Sequence, residues 1–153
     1  PEKGASAVLE MSKQILNLHS LNDLSRGTTV NVCTIKGGTT SNVIPEHAEC
    51  EIDVRFTTIA EAERIKNEIK NIVPFDERVS VEILGDINRP PMERGENVIK
   101  LYEKARAVAA TLDYELGEAQ VGGASDGNFV AALGIPVLDG LGVAGGGAHT
   151  LEE

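Results

Sequence analysis

Aromatic side chains are scarce in this sequence: they make up 3% of the residues, and tryptophan is absent. The core must therefore be aliphatic, drawn from the 41% of residues that are hydrophobic. Basic residues are outnumbered too, since 14 Lys and Arg stand against 24 Asp and Glu, for a formal net charge of -10. Phosphate and anionic headgroups need a basic surface, so we expect neither nucleic acid nor a membrane as a partner.

Long apolar runs are also missing, and cysteines are few. No apolar run approaches the roughly 20 residues of a membrane-spanning helix, and no signal peptide is recognisable. Cys33 and Cys50 lack the spacing of a metal or redox motif. They could form a cross-strand disulfide, but two buried thiols are the favoured interpretation, so we expect a cytoplasmic protein.

The strongest pattern in the chain runs from Thr29 to Phe56. Its second half alternates between apolar and charged residues, with one side formed by Ala48, Cys50, Ile52, Val54 and Phe56. A period of two is typical of a strand with one buried face. Thr29 to Lys36 is rich in β-branched residues and predicts a second strand. Gly37-Gly38 lets the chain reverse, so we predict an antiparallel hairpin with a long loop.

Two amphipathic helices flank this hairpin. The first is predicted from Pro1 to Leu18, with an apolar stripe of Val8, Met11, Ile15 and Leu18. The second opens at Thr58, in capping-box spacing with Glu61, and ends before Pro74. Alternation from Arg78 to Leu84 predicts a third strand. The order lacks only the first strand of a ferredoxin-like unit, so we predict an α+β fold with two helices on one face of an antiparallel sheet.

Asn88-Arg89-Pro90-Pro91 breaks the pattern and predicts a boundary between domains at 1-89 and 90-153. The second domain is predicted to contain a helix from Glu96 to Leu112 and a strand at 115-121. A turn at 122-126 then leads into a short helix that ends near Leu133, and a strand follows at 136-138. This order is that of a partial α/β segment whose earlier strands are missing. Both ends of the sequence look cut, and we expect a segment of a longer protein.

Four places could carry chemistry, and each has a plain alternative. His149 follows a glycine run and is either a metal ligand or general base, or a solvated loop histidine. The turn at 122-126 is either an anion-binding nest or an ordinary helix cap. Arg89 is either a carboxylate clamp or a surface arginine, and Asn42 is either a turn residue or an amide that reaches a ligand. A zinc site needs at least three protein ligands, so His149 alone does not make one.

Three stretches together resemble the back half of the M20 family of metallopeptidases: SNVIPEHAECEIDVR, then NRPP, then GGASDGNFVAALGIPVLDGLGVAGGGAHTLEE. Within the family, they are most similar to the glutamate carboxypeptidases of the carboxypeptidase G2 type. The resemblance implies a ferredoxin-like lid, which also forms a homodimer, inserted into a zinc-dependent α/β catalytic domain.

The resemblance also implies roles for single residues. His149 matches the last zinc ligand, and Asn42 and Arg89 match lid residues that hold the substrate's carboxylate. Gly123 through Ser125 match a loop that lines the substrate pocket. The family's HxD motif, its acidic pair and its metal-bridging Asp find no match in this sequence. The intact enzyme would hold two zinc ions, but we expect this segment to bind none tightly and to be inactive alone.

We therefore expect a fragment of a zinc-dependent carboxypeptidase or amidohydrolase. Its substrate would be a peptide or an N-acyl amino acid, from which it removes a C-terminal, acidic residue. The alternative is a non-catalytic ferredoxin-like module for ligand binding or dimerisation. A pure module has no use for the GGASD loop or His149, which favours the enzyme.

Overall fold

The computed structural model describes residues 4–142, and the chain divides into two compact units between Asn88 and Arg89. Its helices and strands are, in chain order, α1 (Ala7–His19), β1 (Thr29–Gly37), β2 (Ala48–Arg55), α2 (Ile59–Lys70), α3 (Glu96–Ala110) and α4 (Gly127–Ala132). None of the helices described is long and apolar enough to cross a membrane. The division falls within the predicted Asn88–Pro91 break.

The strands β1 and β2 form the predicted antiparallel hairpin. Val30 lies opposite Val54 and Val32 opposite Ile52, and a register shift follows between Val32 and Thr34. Along β2, half-buried and exposed residues alternate over the whole strand. The period of two in the sequence therefore indicated the buried face of β2 correctly.

The prediction of two buried thiols is wrong, because Val30 and Val32 take the core face of β1 and leave Cys33 on the other face. Cys33 lies at the irregularity in β1 and is exposed, whereas Cys50 lies opposite Ile35 and is half-buried. Burial raises the pKa of the Cys50 thiol. Both cysteines are free, and the pairing on neither side of the register shift would place Cys33 opposite Cys50.

Side-chain caps decide where α1 and α2 begin. The Ser6 hydroxyl accepts a hydrogen bond of 3.2 Å from the Leu9 amide, so α1 begins at Ala7 rather than near Pro1. The Thr58 hydroxyl accepts a hydrogen bond of 3.2 Å from the Glu61 amide, as its spacing predicted. Each cap satisfies a backbone donor that has no partner inside the helix.

The core of the first unit is aliphatic and lies between both helices and one face of the hairpin. Its buried residues are Leu18 from α1, Val30 from β1, and Ile65 and Ile69 from α2. Partly buried apolar residues pack around them: Leu21, Val32, Ile52, Val54 and Ile72. The α+β arrangement with both helices on one face of the sheet is therefore confirmed.

Three predicted strands are absent from the part of the chain that the structure describes. Residues 79–84, 115–121 and 136–138 are all irregular, and the only sheet among residues 4–142 has two strands, β1 and β2. Apolar alternation indicates which side chains share a face, but a strand exists only where another strand supplies hydrogen bonds. None of these segments is paired in a sheet with a described residue, so the prediction of strands there is wrong.

The second unit is built around α3 and α4. The Tyr102 hydroxyl on α3 donates a hydrogen bond of 2.9 Å to the Leu116 carbonyl, which ties the helix to the chain that follows it. Neither helix contains a fully buried residue. Val108 and Leu112, from the predicted apolar stripe, are 62% and 74% exposed. The helix also ends at Ala110, slightly before the predicted end.

Candidate functional site

In the second unit, the proline corner after Asn88 meets the loop that precedes α4. The side-chain amide of Asn128 makes both connections. Its oxygen accepts a hydrogen bond of 2.9 Å from the Ser125 amide, and its nitrogen donates one of 2.8 Å to the Pro90 carbonyl. One side chain in the first turn of α4 therefore joins two segments that the sequence marked separately as candidate site elements.

Arg89 lies over this same turn. Its guanidinium carbon is 5.0 Å from the centre of the Phe129 ring, which is cation–π range. Its Nη1 lies 3.6 Å from Oδ1 of Asp126, whose side chain is 98% exposed. A solvated pair at that distance is weak, and a guanidinium has five N–H donors. The group is therefore oriented by the aromatic face and remains able to bind another carboxylate.

The Ser125 hydroxyl is engaged within the loop. It accepts a hydrogen bond of 3.1 Å from the Gly127 amide and donates to the Asp139 carboxylate. This donation, together with a 2.8 Å bond from the Gly140 amide, lowers the pKa of Asp139. The turn at 122-126 is thus held by its own contacts, and the hydroxyl acts as a local helix-start acceptor.

Two glycines near this loop differ in their surroundings. A Cβ at Gly123 would meet nothing within 4 Å, so the loop is open on that side. A Cβ at Gly127 would lie 3.1 Å from both Ser125 Oγ and Val137 Cγ1. Gly127 therefore permits the close approach of α4 to the Ser125 loop and to residue 137.

Asn42 belongs to the first unit. It is exposed in the loop between β1 and β2, where its Oδ1 accepts a hydrogen bond of 3.2 Å from the Thr40 hydroxyl. This is the geometry of a turn residue, and its predicted contact with a ligand stays a prediction. The structure brings Arg89 and the loop of Gly123 and Ser125 into one unit, and His149 lies outside the described residues.

A zinc site cannot be assembled from the residues described. Within 4–142 there is no group of three or more His, Cys, Asp or Glu side chains that could hold a metal ion. His19 and His47, the other two histidines, are both exposed. His149, which the family resemblance implies as a zinc ligand, lies outside the described residues.

Sequence reasoning missed Asn128, Phe129 and Asp139. Asn128 and Phe129 were predicted only as part of a short helix, and no role was predicted for Asp139. One signal was available, because Phe129 is one of only three phenylalanines in the chain and stands directly after a turn rich in small residues. The pairing of Asn128 with Pro90 joins residues 38 positions apart, and no local pattern reports it.

Comparisons with known proteins agree with this architecture. Residues 1–77 match the M20 peptidase dimerisation domain family. Carboxypeptidase G2 of Pseudomonas sp. (strain RS-16) is 29% identical over 153 residues, which covers 98% of this chain and 37% of that protein. Succinyl-diaminopimelate desuccinylase of Psychrobacter arcticus is 30% identical over 138 residues, covering 86% of this chain and 33% of that protein.

A solved structure shares the fold. The aminopeptidase PepT from Bacillus cereus ATCC 10987 superposes with a TM-score of 0.63 at 24% identity, over 89% of this chain and 37% of that one. This chain thus spans 33–37% of the length of these proteins. The match over residues 1–77 shows that the chain belongs to the M20 peptidase family and contains its dimerisation domain.

Proposed function

We propose that this chain is part of a longer zinc-dependent carboxypeptidase or amidohydrolase that removes a C-terminal, acidic residue from a peptide or an N-acyl amino acid. Family membership supports hydrolysis of this kind, and two relatives are named as a carboxypeptidase and a desuccinylase. The chain spans 37% of the carboxypeptidase. The activity would therefore belong to the longer protein.

The observation that carries the proposal is the setting of Arg89. An always-charged guanidinium, supported by an aromatic ring at 5.0 Å and weakly paired at 3.6 Å, is suited to bind the terminal carboxylate of a substrate. In this proposal Arg89 binds that carboxylate, and the loop of Gly123 and Ser125 forms a wall of the pocket. Asn42, in the first unit, is proposed separately as a substrate-binding residue. An acidic side chain on the leaving residue would suit the same positive centre.

Zinc would be held outside the described residues, with His149 as one ligand. When bound, it would polarise the scissile carbonyl and activate a water. The part of this chain that is described would bind and orient substrate. We expect the isolated 153-residue chain to be inactive for that reason. Turnover of N-acetyl-glutamate or a glutamyl dipeptide by the purified chain, loaded with zinc, would contradict this expectation.

The test of Arg89 uses the complete gene product, assayed with zinc on an N-acyl-glutamate. Arg89→Ala should raise KM roughly 10- to 100-fold, because a hydrogen-bonded charge is lost from the carboxylate site. Arg94→Ala is the matched control. Arg94 lies in the same unit and pairs with Glu118 at 2.8 Å, so its removal should leave KM within about twofold.

Two outcomes would overturn the proposal. One is that the complete protein, loaded with zinc, hydrolyses no N-acyl amino acid or peptide, which would favour the non-catalytic module. The other is that Arg89→Ala and Arg94→Ala change KM equally. An amide analogue that lacks the terminal carboxylate gives a third check, because it should bind poorly to the wild type and equally poorly to the Arg89→Ala variant.

The dimerisation domain supports a second part of the proposal, that the chain forms a homodimer through its first unit. Sedimentation velocity of the 153-residue chain over a range of concentrations should show reversible dimers. A monomer throughout that range would count against it.

A further inference from the structure

We propose that the first turn of α4 is the element that positions Arg89, with Asn128 fixing the backbone of the corner and Phe129 fixing the plane of the guanidinium. The inference rests on the proposed function, because it deepens the role of Arg89 in carboxylate binding. It assigns a role to two residues that neither the sequence patterns nor the family resemblance had singled out.

Asn128 acts on the backbone beside Arg89. Pro90 and Pro91 have no backbone N–H, so these two residues can form backbone hydrogen bonds only through their carbonyl oxygens. The side-chain nitrogen of Asn128 donates a hydrogen bond of 2.8 Å to the Pro90 carbonyl, and its side-chain oxygen accepts one of 2.9 Å from the Ser125 amide. Because both ends of the amide are used, its orientation is set, and the corner is held at a defined distance from the Ser125 loop.

Phe129 acts on the side chain of Arg89. The ring is 47% exposed, in a chain with very few aromatic residues, and the guanidinium covers it at 5.0 Å. A cation–π contact of this kind favours a position of the guanidinium over the face of the ring. The ring therefore presents the guanidinium and leaves its N–H groups for a carboxylate.

Asp126 completes the arrangement as a resting partner. Its carboxylate is almost fully exposed and lies 3.6 Å from Arg89, which is too long for a good hydrogen bond. A substrate carboxylate that approaches in bidentate geometry would replace it. Asp126 is the N-cap residue of α4, and Asn128 and Phe129 lie in its first turn. The sequence DGNF therefore places a competing anion, a hydrogen bond to the corner and an aromatic contact at the start of one helix.

The variants separate these contributions. Asn128→Asp keeps an acceptor for the Ser125 amide but cannot donate to the Pro90 carbonyl. Asn128→Ala loses both bonds. Phe129→Leu keeps apolar volume and removes the aromatic face, and Asp126→Asn removes the competing charge. Asn97→Ala is the control, since Asn97 is an exposed asparagine on α3 in the same unit.

The kinetic test uses the complete gene product on an N-acyl-glutamate. Asn128→Ala and Asn128→Asp should each raise KM roughly tenfold with kcat little changed, as expected when a binding group is misplaced. Combined with Arg89→Ala, neither should raise KM further. Asp126→Asn should lower KM, and Asn97→Ala should change nothing. Full additivity of Asn128→Ala with Arg89→Ala would overturn the inference, because Asn128 would then not act through Arg89.

A second measurement needs no activity. In the 15N-labelled 153-residue chain, the Arg89 Nε–H proton should be shifted by the ring current of Phe129, and Phe129→Leu should abolish that shift. Asn128→Ala and Asn128→Asp should move the resonance in the same direction, whereas Asn97→Ala should not. An unchanged resonance in both Asn128 variants would overturn the positioning role. A KM unaffected by Arg89→Ala would instead overturn the proposed function, and the two failures are therefore distinguishable.

Discussion

The hydroxyl of Thr28 donates a hydrogen bond of 2.8 Å to the carboxylate of Glu61, which lies 33 residues later in the chain. Thr28 is fully buried, and Glu61 is 8% exposed. The same carboxylate forms ion pairs with Arg64 at 2.7 Å and with Arg26 at 3.2 Å. This one side chain therefore links the first turn of α2 to the entry of β1, next to the core.

The network predicts an acid-dependent stability. Hydrogen bonds from Arg64, followed by those from Thr28 and Arg26, lower the pKa of Glu61 from 4.5 to about 2. Because the folded pKa is the lower one, the carboxylate stabilises the fold fully above pH 4.5. That contribution is lost as the pH falls from 4.5 toward about 2. Urea unfolding of the 153-residue chain should show this loss, and Glu61→Gln should reduce the dependence in that pH window. Other carboxylates with a lowered pKa, such as Glu10, should account for the rest.

Glu63→Gln is the matched control, since Glu63 is exposed on the same helix. It should retain the wild-type pH dependence between pH 2 and 4.5. Should Glu61→Gln and Glu63→Gln give parallel curves, the ion network would not be coupled to folding.

The contacts of Glu10 lead to a second prediction, which concerns local opening of the loop after α2. Its buried carboxylate accepts hydrogen bonds from the amides of Phe75 at 2.9 Å and Asp76 at 3.1 Å, and from Gln14 at 2.8 Å. Burial alone would raise the pKa of Glu10, but these bonds outweigh it and the pKa is lowered. Glu10→Gln replaces one of the two accepting oxygens with an NH₂ group and removes the charge. Hydrogen exchange at the Phe75 and Asp76 backbone amides should therefore speed up at least about tenfold.

Hydrogen exchange followed by NMR measures this directly. Glu77→Gln, at an exposed position beside the same loop, should leave both amides protected. Equal protection in Glu10→Gln and wild type would show that the loop after α2 is held by other contacts.

The aliphatic core makes a third prediction. Ile65 is 1% exposed and packs with Leu18, Val30 and Ile69. Ile65→Ala should lower the free energy of unfolding by about 3 kcal/mol, because it removes buried methylene groups and leaves a cavity. Ile59→Ala is the control on the same helix. Ile59 is 51% exposed, so its loss should cost less than about 1 kcal/mol in chemical denaturation.

Local patterns predicted the first unit well. The Thr58 cap and the alternation of β2 each depend on residues a few positions apart, and each is present. In α1, Leu18 of the predicted stripe is buried, but the other buried residues are Glu10 and Gln14. The failures are of one kind. The missing ladders at 79–84, 115–121 and 136–138 depend on what lies beside a strand, which a period in the sequence does not encode.

For the candidate site, too, local motifs indicated some residues, and only the structure indicated the others. The motifs NRPP and GGASD marked Arg89 and Ser125 as residues of interest, and the structure places both in one unit. Neither motif indicated Asn128, whose bonds to Ser125 and Pro90 join the two stretches. Nor did they indicate that an aromatic ring would lie under Arg89.

By itself the sequence determined an acidic, aliphatic α+β chain with a capped helix on either side of a hairpin, because caps and periodicity act through neighbouring residues. Only the tertiary structure decided that Glu61 would reach Thr28 and Asn128 would reach Pro90. Such contacts depend on how distant segments pack, and a buried or half-buried polar group takes whichever partner that packing brings within reach.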